Sequence, residues 1–194
     1  MIDVAGRVFA ERGYHAASMD DIAAGVGISK PMLYAYFDSK EGLYRACISA
    51  ASDRLLASVG EAAAEGPPEQ RLWAGILAFF SWIEEHRDGW GLLNRNGAGA
   101  PFAEEAARSR SQTVLLTGRL FTEAARAQGL NPQLESENEA LADAFAGAAE
   151  ALANRWLDHP DEPKELQALR LMNLTWMGLG DLVKGRLWLP DEQR

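Results

Sequence analysis

An all-α fold is predicted for this 194-residue chain, and three observations predict it. Helix-start signals are dense near the N-terminus, where Ser18 with Asp21, Ser29 with Pro31, and Asp38 with Glu41 follow one another closely. Alanine and leucine are abundant while runs of β-branched residues are scarce. Beyond Lys40, long stretches of helical periodicity are cut only by glycine- and proline-rich breaks. With 47% hydrophobic residues the chain can bury one substantial core, or a small domain and a larger one.

The first elements are short and sharply bounded. Ser18 and Asp21 have capping-box spacing, in which the serine oxygen accepts from a free amide of the first helical turn. Met19, Ile22, Ala23 and Val26 then repeat at helical spacing, and Gly27 ends the helix where positive φ is cheap. Ser29 is a second N-cap, and Pro31 falls in the first turn, where its missing amide hydrogen does no harm. Asp38 with Glu41 repeats the capping box at the head of a third segment. Two short helices about a glycine turn have the form of a helix-turn-helix. In the second of them, Leu33 and Phe37 should face inward with Ile22 and Phe9. At about 100° per residue, Pro31 and Ala35 then point outward, flanked by Met32 and Tyr34, with Lys30 beside them.

The body divides into five long helical segments. The first runs from about Lys40 to Ala64, with Leu43, Cys47, Ala51 and Leu55 on one stripe, and Gly66-Pro67-Pro68 breaks it. The second, about Glu69 to His86, is rich in large residues, among them Leu72, Trp73, Ile76, Phe79, Phe80 and Trp82. A short piece at Trp90–Asn94 precedes a loop from Arg95 to Pro101. The third spans about Phe102 to Gln128 and ends at Gly129, after which Asn131-Pro132 turns the chain toward a Ser136–Glu139 capping box. The fourth continues to about Asp158, and the fifth covers about Glu165 to Leu187 after Pro160 and Pro163. Alternating alanines from Ala140 to Ala153 make the fourth helix smooth, so that another helix can approach closely. Two such helices from each of two subunits would build a four-helix bundle, although small residues serve packing within one chain equally well.

An outward face of proline, alanine, methionine and tyrosine is unusual for a helix that only meets water. It suits base edges and thymine methyls, with hydroxyls and an ammonium nearby for phosphates. The net charge of −9 bears on that reading. Residues 1–50 carry five basic and six acidic side chains, a net of −1, so the acid is concentrated in the body. Few, well-placed phosphate contacts and weak non-specific DNA binding are expected.

Arg12-Gly13-Tyr14, the Ser18-to-Val26 helix, Gly27-Ile28-Ser29, Leu33-Tyr34-x-Tyr36-Phe37 and Lys40-x-x-Leu43 together resemble the TetR (tetracycline-repressor) family of bacterial regulators over roughly residues 2–48. The resemblance implies a helix-turn-helix DNA-binding domain, residues 1–45, and a helical effector-binding and dimerisation domain, residues 46–194. By position, Ser18, Ser29, Tyr34, Tyr36 and Lys40 match phosphate-contacting places, while Lys30, Pro31 and Met32 match groove-facing ones. It also implies a homodimer formed through the two C-terminal helices. Tyr36 stands where many members have histidine, keeping a donor and losing a titratable ring. The chain opens almost inside its first helix, without the basic N-terminal arm many members carry, so either contacts from such an arm are not expected or the start codon is mis-set.

The function expected is a ligand-responsive transcriptional repressor that binds a palindromic double-stranded DNA operator as a homodimer. The alternative is a helical interaction or ligand-binding protein with a degenerate DNA-binding domain, which the low basic charge favours. An apolar effector pocket is expected from Trp73, Phe80, Trp90, Phe102, Phe121 and Trp156, with Asn94 as a polar group, for a small organic molecule. Catalysis is not expected. His15, His86 and His159 lie far apart, no cysteine pair is present, and Gly97-Ala98-Gly99 follows no strand and lacks a third glycine. Adjacent pairs such as Glu84-Glu85 and Glu104-Glu105 diverge on a helix rather than form an acid–base couple. No cofactor or metal is therefore expected. The single Cys47 fits a reducing cytoplasm, and no apolar run is long enough for a membrane span.

Overall fold

The computed structural model describes residues 1–94, 102–127 and 135–182, and every regular element among them is an α-helix. In order these are α1 (Ile2–Ala16), α2 (Met19–Val26), α3 (Lys30–Phe37), α4 (Lys40–Ala62), α5 (Pro68–Glu85), α6 (Arg87–Asn94), α7 (Ala103–Ala127), α8 (Glu135–Leu157) and α9 (Lys164–Leu182). The expected loop from Arg95 to Pro101, with its Gly97-Ala98-Gly99, lies outside the described residues, as do Gly129, Asn131-Pro132, the side chain of Ser136 and residues 183–187.

The caps show how sequence dictates the short helices. Gly27 adopts the left-handed conformation (φ 80, ψ 30) after α2. Its amide reaches the Ala24 carbonyl while the Ile28 amide reaches that of Ala23, a Schellman termination that a side chain at Gly27 would strain. Ser29 accepts from the Met32 amide at 3.4 Å and caps α3, as expected. Two capping boxes are corrected. Ser18 accepts from the Asp20 amide at 3.1 Å, and the Asp21 carboxylate turns away to the Arg12 guanidinium instead of closing a box. At α4 the cap is Ser39, which accepts from the Gly42 amide at 2.9 Å, not Asp38. Asp38 is the turn residue between α3 and α4, at φ 58, ψ −38, with the Ser39 amide folded back to the Phe37 carbonyl at 2.6 Å. That carbonyl presses on the start of α4 so closely that a Cβ at Gly42 would collide with it.

The chain forms two compact units, residues 1–57 with 82–111 and residues 58–81 with 112–194. In the first, α1, α2, α3 and the start of α4 enclose Phe9, Met19, Ile22, Leu33, Leu43, Tyr44 and Ile48. Leu92 from α6 and Phe102 ahead of α7 complete that core, so the first compact unit takes in residues 82–111 as well as 1–57. Phe102 meets Tyr14 and Tyr44 with ring centroids 4.5 and 4.4 Å away, within the range of favourable tilted aromatic pairs. Burial pushes the Cys47 thiol up to about 12, so it stays protonated and serves as a small core residue. In the second unit, Ala142, Ala146, Ala149 and Ala153 form the buried stripe of α8; Phe80, Trp156, Ala168 and Leu171 are buried too, with Phe80 and Trp156 edge to face at 5.9 Å. The turn joining α8 to α9 is tied by Glu162, which accepts from Arg155, Gln167 and Arg170, while Trp156 Nε1 donates to its backbone carbonyl.

Candidate nucleic-acid interface

The first unit presents α3 with one face inward and the rest in water. Leu33 is fully buried and Phe37 half-buried. Lys30, Pro31, Met32, Tyr34, Ala35 and Tyr36 are all exposed, and the three large ones among them are 49% (Met32), 37% (Tyr34) and 62% (Tyr36) accessible. A helix carrying that much apolar and aromatic surface into water is presenting it to something. The Ser29 hydroxyl lies at the exposed start of the same helix, and half-buried Ser18 lies at the start of α2. Of the eight residues singled out from the sequence, seven thus gather on α3 and on the caps of α2 and α3. The eighth, Lys40, opens α4 and is held by its own unit. Its Nζ donates to the His15 carbonyl at 3.2 Å and lies 4.8 Å above the Tyr14 ring, clamping the end of α1 to the head of α4.

Charge on this unit is arranged in pairs. Lys30 Nζ lies 2.8 Å from the Asp20 carboxylate, which raises the lysine above its ordinary value. Arg12 pairs with Asp21, and Arg45 with Glu41 at 2.8 Å and Glu105 at 3.1 Å. The sequence reading missed Asp20 and Asp21 as partners because both pairs bridge elements nine or ten residues apart, beyond any single-helix spacing.

The expected effector-pocket residues are not brought together in one unit. Trp90, Asn94 and Phe102 belong to the first, and Trp73, Phe80, Phe121 and Trp156 to the second. Phe102, Phe80, Trp90 and Trp156 are buried, and Phe102 is a member of the helix-turn-helix core. Trp73, Asn94 and Phe121 are half-buried, and Phe121 packs edge-on against Phe145. The first unit does contain a cleft of about 320 Å³, whose lining includes Ile2, Cys47, Arg54, Trp82, His86 and Leu92, but none of the seven. Among the described residues no group of three or more histidines, cysteines and carboxylates could hold a metal, and no helix is long and apolar enough to cross a membrane.

Two short helices about a left-handed glycine, with the second one's outer face exposed, define a helix-turn-helix protein. Two family models fit the chain: that of bacterial regulatory proteins of the tetR family over residues 1–47, and the tetracyclin repressor-like C-terminal domain over residues 68–178. The HTH-type transcriptional activator FasR of Mycolicibacterium smegmatis is 32% identical over 182 residues, covering 92% of this chain and 81% of its own. The biofilm operon negative transcriptional regulator IcaR of Staphylococcus aureus is 42% identical over 55 residues, which are 28% of this chain and 30% of that protein. A TetR-like transcriptional regulator from Rhodococcus sp. RHA1 superposes with a TM-score of 0.75 at 32% identity, covering 92% of this chain and 93% of that one. The chain belongs to the TetR family and is a DNA-binding transcriptional regulator.

Proposed function

We propose that the protein is a homodimeric, effector-responsive repressor that reads a palindromic operator with α3. The observation that carries this reading is the exposed semi-apolar outer face of α3, held by capped ends on a well-packed three-helix core. Paired α3 helices would address half-sites about 34–36 Å apart or somewhat more. Dimerisation through α8 and α9 is supported by surface left uncovered on both. Ala140, Ala144 and Ala151 of α8 are exposed opposite its buried alanine stripe, and Leu169 and Leu174 of α9 are 48% and 66% accessible. The effector would be a small organic molecule bound in the helical body, acting by preferring one dimer arrangement over the other. The protein would act in the cytoplasm.

The test is selection of bound sequences from a random duplex pool at near-physiological salt, followed by titration of variants on the selected site. Recovery of a two-fold-symmetric site is expected. Tyr34→Ala and Lys40→Ala should weaken binding across sequences, whereas Met32→Ala should change base preference; unchanged affinity in all three would sink the assignment of α3. A second reading, transcriptional activation, is favoured by the relative that aligns along 92% of the chain and carries the name activator. A reporter with the operator overlapping the promoter, against one with it upstream, separates the two signs.

A further inference from the structure

The ion pair between Asp20 and Lys30 lies where it can govern how DNA is read. Asp20 occupies the first turn of α2, its amide bonded to the Ser18 hydroxyl at 3.1 Å, and its carboxylate reaches across to Lys30 at the head of α3 at 2.8 Å. The two side chains are 69% and 45% exposed, so solvent screens the pair and its strength is modest. An ammonium has three N–H donors, of which the carboxylate takes one and leaves two. Three other cations of residues 1–50 are engaged as well, Arg12 with Asp21, Arg45 with Glu41 and Glu105, and Lys40 with the His15 carbonyl and the Tyr14 ring.

We propose that Asp20 is a specificity-determining residue: it keeps Lys30 from phosphates and aims it at a base edge in the major groove. This rests on α3 being the groove-reading helix. On arbitrary DNA, a phosphate brought to Lys30 also comes close to the Asp20 carboxylate, whose charge the backbone repels, so non-specific binding is penalised. At the operator, Lys30 keeps its bond to Asp20 and offers its two free donors to a guanine O6/N7 pair, a recognised lysine contact. The carboxylate therefore acts by selective penalty as much as by orientation.

The experiment measures affinity for the selected operator and for a scrambled duplex of equal length, over a range of salt, for the full chain and variants. Asp20→Asn should raise affinity for the scrambled duplex roughly twofold to fivefold more than for the operator. The slope of affinity on salt for the scrambled duplex should steepen by about one, the signature of one added phosphate contact. Asp20→Ser, which retains a side chain suited to a helix start, should do the same. In a Lys30→Gln background, Asp20→Asn should no longer alter the ratio between the two duplexes. An unchanged ratio in both single variants overturns the proposal, and so does an equal fall in the Lys30→Gln background, since Asp20 would then act without Lys30. A wild-type chain with no preference for the operator overturns the reading of α3 itself and this proposal with it. A preference left unchanged in size by both variants overturns only the role of Asp20.

Discussion

Lys40 illustrates how one side chain serves two purposes on this surface. Its ammonium is a candidate phosphate contact and is also held over the Tyr14 ring with a bond to the His15 carbonyl. Lys40→Ala should therefore cost about 1 kcal/mol of stability besides its effect on DNA. Thermal unfolding beside operator titration separates these. The α3–α4 turn gives a second residue-level expectation. Ser39 is the true N-cap of α4, so Ser39→Ala should lower stability by about 1 kcal/mol in urea unfolding. Asp38→Asn, which keeps a residue tolerant of positive φ, should leave stability within about 0.5 kcal/mol. The opposite order would restore Asp38 as the cap. From the sequence, Asp38 at capping-box spacing from Glu41 is the expected cap, and Ser39 is not singled out. What makes Ser39 the cap is the fold of the backbone, which a capping pattern does not encode.

Among the elements, the α8–α9 turn is held by an ionised carboxylate. Hydrogen bonding from Arg170 first, then Gln167, holds the Glu162 carboxyl at about 2, well below its ordinary 4.5. A carboxylate depressed in the folded state contributes stability that is present above 4.5 and is lost as pH falls toward 2. Acidification through that window should shift the Trp156 indole N–H resonance, because that group donates to the Glu162 carbonyl. Glu162→Gln should remove the pH dependence and lower the melting temperature; a resonance unmoved between those limits would show that the turn does not depend on the charge. The turn was legible in the sequence only as His159-Pro160 and Pro163 between two helices. Its internal chemistry was not, since Arg155, Glu162, Gln167 and Arg170 converge from two helices and a loop.

For the whole molecule, the proposed reading of a palindromic operator depends on dimerisation. Leu169→Glu together with Leu174→Glu should leave helical content unchanged, reduce the solution mass to that of one chain and weaken operator binding by at least tenfold. The melting temperature of the wild type should rise with protein concentration. A melting temperature independent of concentration would contradict the dimer. At this scale the sequence was informative about helix number and order, because caps, breaks and apolar period agree along most of the chain. It did not reveal every contributor to the first unit's core, since nothing local in Phe102 or Leu92 shows that they pack with residues of α1 and α4. That placement has a practical side for anyone building chimeric regulators. A graft that exchanges only residues 1–47 would take the reading head and leave behind part of its own filling. Losing a buried phenylalanine costs about 3–5 kcal/mol, enough to unmake a small domain, so the transferable piece is residues 1–57 together with 82–111, two separate stretches of chain that have to travel together.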